Sequence, residues 1–104
     1  MRTQEILNLC VKGEQTPVQM KERVTDAYEL GKEMVCYANE RGGGLIIIGV
    51  NDKTGKVNAL SRTEVQEQTG LLSQIATDQV HPAFSIKAEN VDVPGGQLIA
   101  VTVP

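Results

Sequence analysis

Aromatic residues are almost absent. Phe84, Tyr28 and Tyr37 are the whole set in 104 residues, and there is no Trp. The core must therefore be aliphatic, and the stacking platforms on which most single-strand-binding modules hold bases are missing. Cysteine is scarce as well: Cys10 and Cys36 are too few for a disulfide scaffold and match no zinc spacing. Each sits among apolar neighbours in a helical pattern, so both are expected as buried thiols. The single histidine, His81, precedes Pro82 and is expected at a helix end rather than in chemistry. No apolar run approaches the ~20 residues a membrane helix needs, and Met1-Arg2-Thr3-Gln4-Glu5 opens no signal peptide. A cytoplasmic chain with no membrane partner is the expectation. Walker and dinucleotide-binding fingerprints are both missing, so no cofactor is expected.

What is present is an ordinary globular composition, 40% hydrophobic and 22% charged, in a length that suits one domain. The formal net charge of −3 excludes a nonspecific polycation, but the charge is uneven. Residues 1–62 carry nine of the ten Lys and Arg against eight acids, whereas residues 63–104 carry Lys87 alone against five. A local basic face could still contact phosphate, weakly and with strong salt dependence.

The pattern predicts a short helix capped by Thr3 with Ile6, Leu7 and Cys10 on one side, ended by Gly13. Val18 to Glu22 alternates as a strand with Val18 and Met20 inward. Thr25 or Asp26 caps the strongest helix, in which Ala27, Leu30, Gly31, Met34, Val35 and Ala38 form one stripe. Arg41-Gly42-Gly43-Gly44 stops it. Leu45 to Val50 is a continuous apolar run, the signature of a strand buried on both faces. Asn51 to Lys56 is turn chemistry, and Val57 to Leu60 is expected to pair back as a short strand. Ser61 or Thr63 caps a third helix carrying Val65, Leu72, Ile75, Ala76 and Val80, which ends near His81-Pro82. Phe84 to Ala88 alternates, and a parity shift at Glu89-Asn90 before Val91 and Val93 predicts a bulge or bend. Pro94 to Gln97 turns into a last strand, Leu98 to Val103. The fold class is α+β in the order αβαββαββ, a mixed sheet of about five strands covered by two to three helices. The chain reads as one domain, 1–104, and its stop directly after the last strand points to the N-terminal domain of a longer protein.

The run from Met34 through Tyr37-Ala38-Asn39, Gly42-Gly43-Gly44 and the apolar strand into Gly49-Val50-Asn51-Asp52 resembles the Schlafen-type Alba-like DNA-binding domain. Tyr37 stands where that family usually has Phe, and Asn51 where it often has Asp. Glu14 followed by Gln19-Met20-Lys21 matches the family's upstream Glu and Glu-Phe-Lys, with Gln19 in place of the second acid. The resemblance implies a DNA- or RNA-binding domain of a bacterial transcriptional regulator. It also implies a second possibility from the family's RNA-cleaving members: Glu14 and Asp52 as two metal-binding carboxylates. Replacing the third by Gln19 removes a charge that a divalent ion needs, which favours binding over catalysis.

For phosphate contacts the candidates are Lys21, Arg23, Arg41, Lys53 and Lys56, set against a solvated surface interleaved with Glu22, Glu40 and Asp52. Asn39, Gly42 and Gly43 could form an anion-binding nest, or the glycines could simply let helix reverse into strand. Asp52 is equally a turn residue. A third reading is a protein-interaction module, docking on a missing C-terminal domain or self-associating as a homo-oligomer, which the acidic second half favours.

Overall fold

In a computed structural model, the described residues are 1–12, 18–39, 43–75 and 86–103. They form three helices, α1 (Thr3–Lys12), α2 (Ala27–Asn39) and α3 (Arg62–Gln74), and four strands, β1 (Val18–Lys21), β2 (Gly44–Ile48), β3 (Lys87–Val93) and β4 (Gly96–Val103). The sheet order is β1-β2-β4-β3. β1 runs parallel to β2, and the other two pairings are antiparallel. This is the expected α+β class with a mixed sheet. No helix among the described residues is long and apolar enough to cross a membrane.

Strand β2 lies inside the sheet, and Ile46, Ile47 and Ile48 are all fully buried, as a continuous apolar run requires. The register places Val18, Met20, Leu45, Ile47, Leu98, Ala100 and Val91 on one face of the sheet. α1 packs on that side, where the Met1 amino group meets Glu89. Gln19, Lys21, Ile46, Ile48, Ile99 and Val101 point to the other face, where α2 lies. The amphipathic stripes fall as expected: Ile6 and Cys10 on α1, Leu30 and Met34 on α2, and Val65 and Leu72 on α3 are buried.

Local signals set the helix starts. Asp26 Oδ1 accepts from the Tyr28 and Glu29 amides at 3.0 and 3.2 Å. Ser61 and Glu64 complete a reciprocal capping box at α3. Thr3 departs from its expected capping role: it is the first residue of α1, and its hydroxyl donates to the Asp92 carbonyl at 2.6 Å.

The sheet has four strands where about five were expected. Val57 to Leu60 makes only two isolated bridges, Val50 with Val57 and Leu60 with Gln97. The reason lies in Arg23, whose guanidinium takes the Asn58 and Ala59 carbonyls, so the segment crosses between partners rather than following one. The expected bulge is also missing, since β3 pairs with β4 in unbroken register from Lys87–Thr102 to Val93–Gly96. Ala88 is therefore exposed, and Glu89, Val91 and Val93 point to the face that α1 covers. Cys10 is buried and its thiol pushed up by that burial, but Cys36 is exposed, because it falls off the apolar stripe of α2. Gly13, the end of the third helix at His81-Pro82, and Phe84 lie outside the described residues.

Candidate functional site

Strand β2 delivers the chain into Gly49, whose φ of +112° suits glycine alone. A Cβ there would sit 2.4 Å from Leu98 Cδ2 and 2.7 Å from Leu60 Cδ1, so space as well as conformation demands glycine. The turn that follows is rigidly built. Asn51 Oδ1 accepts from the Lys53 and Thr54 amides at 2.9 Å, its carbonyl accepts from Gly55, and its own amide donates to the Lys56 carbonyl. Gly55 takes φ +72°, and a Cβ there would stand 2.7 Å from the Cys10 carbonyl, which seats the turn against α1.

Glu22 holds this turn from the side. Its Oε1 accepts from Asn51 Nδ2 at 2.5 Å and its Oε2 from Asn58 Nδ2 at 3.1 Å. The Asn51 amide, and then the Asn58 amide, keep its carboxyl below the usual carboxylate range. Beside it opens a cleft of about 420 Å³ lined by Glu22, Asn51, Thr54, Lys56, Val57 and Asn58.

Lys53 and Lys56 stand exposed on this turn with Asp52 and Thr54, and make no ion pair among the described residues. The other two described basic candidates are engaged. Arg23 lies past the end of β1, donates to Glu64 Oε2 at 2.7 Å, and also bonds the Glu22, Asn58 and Ala59 carbonyls. The Arg23 guanidinium, helped by the Ser61 amide, pulls the Glu64 carboxyl down to about 2. Lys21 turns instead towards α2, 3.2 Å from Glu33 Oε1. Gln19 donates to the same oxygen at 3.4 Å and accepts from the Tyr37 hydroxyl at 3.1 Å. The turn thus keeps Lys53, Lys56 and Asp52 together, while Lys21 and Arg23 face different helices.

Of the glycine motif, Gly43 is buried with φ +83°, a conformation that serves reversal from α2 into β2. Asn39 closes α2. Glu14, Arg41 and Gly42 lie outside the described residues. Among the described residues no group of three or more His, Cys, Asp or Glu stands together as a metal site. The sequence shows Glu22 only as an acid interleaved with the candidate cations; the structure gives it the Asn51 and Asn58 amides. Those partners are 29 and 36 residues distant, so only the Asn51-Asp52 turn chemistry hinted at the arrangement.

The Schlafen, AlbA_2 family profile matches residues 14–104, and the chain belongs to that family. Among solved structures it is similar to the N-terminal domain of an ATP-dependent DNA helicase RecG-related protein from Nitrosomonas europaea. The two share 23% identity with a TM-score of 0.68, over all of this chain and 73% of that one. It is also similar to the DIP2311 protein from Corynebacterium diphtheriae, at 25% identity and a TM-score of 0.61. There 98% of this chain covers 21% of the other. A comparison with curated proteins finds no match.

Proposed function

We propose that this AlbA_2 domain binds nucleic acid, as the DNA-binding domain of a bacterial transcriptional regulator. The observation that carries the reading is the rigid turn presenting Lys53 and Lys56, two exposed cations without an acidic partner among the described residues. The family membership and the likeness to a domain of a RecG-related protein support it. Lys53 and Lys56 contact phosphates directly, with Arg41 added from the start of the glycine turn. Lys21 and Arg23 assist by holding the frame, through Glu33 and through Glu64, rather than by reaching the ligand first. With a net charge of −3 the binding is weak and salt-sensitive, since phosphate contacts act by releasing counterions. Fluorescence anisotropy with labelled single- and double-stranded DNA and RNA, at low and high salt, tests this. Binding that falls steeply with salt supports it; no binding at low salt contradicts it.

A further inference from the structure

The cleft beside the basic turn has a chemistry of its own. One wall is the Glu22 carboxylate, whose two oxygens each accept a single amide proton, from Asn51 and from Asn58. Each oxygen keeps a further lone pair, because an ionised carboxylate has about four acceptor sites and no donor. Lys56 and Thr54 supply donors on the same cleft, and Val57 an apolar side. Its volume of about 420 Å³ lies in the range of small-ligand sites, roughly 300–1,000 Å³.

An acceptor-only pair selects among bases by elementary hydrogen bonding. Guanine alone places two adjacent donors, N1–H and the N2 amino group, on its Watson–Crick edge. Adenine and cytosine set one donor beside an acceptor, and uracil or thymine sets one donor between two acceptors. A carboxylate can therefore make two bonds only to guanine, while a cation beside it suits the guanine O6. Unpaired bases are read on this edge in single strands, where it is free.

We infer that Glu22 and Lys56 form a guanine-reading subsite, in which Glu22 accepts from N1–H and N2–H and Lys56 contacts O6 of a single-stranded nucleic acid. The inference rests on the nucleic-acid reading above. A guanidinium also offers paired N–H donors, but Lys53 and Lys56 on the same turn repel a cationic peptide and attract a phosphate chain. The Asn51 and Asn58 amides keep Glu22 ionised, hence free of any donor proton.

The test is anisotropy at low salt with labelled DNA strands of repeated thymine-thymine-guanine, against the same strand with adenine, cytosine or thymine in the third place. The guanine strand should bind about tenfold more tightly, the usual worth of one good bidentate base contact. Inosine, which lacks the N2 amino group, should lose most of that preference, and 7-deazaguanine, altered only on the other edge, should keep it. Glu22→Gln should level the four bases. These base analogues decide the matter even if that variant fails to fold. Equal affinity for all four bases, or a preference that survives inosine or Glu22→Gln, overturns the subsite while leaving nucleic-acid binding intact. Binding of an arginine-rich peptide in preference to every strand overturns it as well. Absence of binding to any strand overturns both readings.

Discussion

Gln68 is a buried polar side chain among the described residues, and its replacement tests how α3 is tied to the segment between β1 and α2. It lies 6% exposed on α3 and bonds both polar groups of Val24, accepting from the amide at 2.7 Å and donating to the carbonyl at 3.0 Å. Val24 is itself 4% exposed, so water cannot replace the lost partner without opening the core. Gln68→Leu keeps the approximate volume and strands one N–H and one C=O. Each unsatisfied buried group costs about 1–3 kcal/mol, and the added apolar burial returns part of this. A net loss of about 2–4 kcal/mol is expected, a large share of the roughly 5–15 kcal/mol that holds a domain together. For a chain of this size that lowers Tm by roughly 10–30 °C. Far-UV circular dichroism is the suitable probe, since the chain has no Trp. Gln68→Glu adds a signature: the ionised carboxylate cannot donate to the Val24 carbonyl but the protonated acid can. Its folded-state pKa is therefore raised, and its stability relative to the native chain should improve as pH falls. A Gln68→Leu stability within about 0.5 kcal/mol of the native chain, the usual size of an inconsequential surface change, would refute the argument.

Three further outcomes are expected. Gly55→Ala should destabilise by at least about 1 kcal/mol in urea titration, because φ is +72° and the new Cβ meets the Cys10 carbonyl. Glu64 has its folded-state carboxyl depressed from 4.5 to about 2, so its contribution is full above pH 4.5 and is lost as pH falls towards 2. Glu64→Gln should flatten that part of the acid-unfolding profile. Ellman titration of the native protein should label exposed Cys36 promptly and buried Cys10 only on unfolding.

What was legible in the chain was what neighbouring residues decide. Thr25 or Asp26 before an apolar stripe, Ser61 or Thr63 before the next helical run, and the apolar run from Leu45 each name their element by local chemistry. Asp26 and Ser61 supply the caps, and β2 runs Gly44–Ile48, two residues short of Val50. The misplaced features depend on partners far away in sequence. Arg23 reads as a surface cation until Glu64, 41 residues on, and the Asn58 and Ala59 carbonyls claim it. That same claim turns an expected fifth strand into two bridges. Glu22 reads as one more solvated acid among the cations until the chain returns with Asn51 and Asn58. Cys36 resembles a core thiol by neighbourhood, but its angle around α2 takes it off the buried stripe. Lys53 and Lys56 were found because turn chemistry exposes them, and nothing distant intervenes.

The central claim, that the 51–56 turn meets phosphates, is tested most directly by moving charge at that place and elsewhere. The measurement is anisotropy across a salt series with the Lys53→Glu/Lys56→Glu variant, against Arg62→Glu/Lys87→Glu, which changes net charge equally from other exposed positions. The account predicts that the turn variant loses most of the binding and that its salt slope falls by up to about two, at roughly 0.9 per phosphate contact. The control should keep a slope close to that of the native protein. Equal losses in both variants, or an unchanged slope in the turn variant, would contradict it.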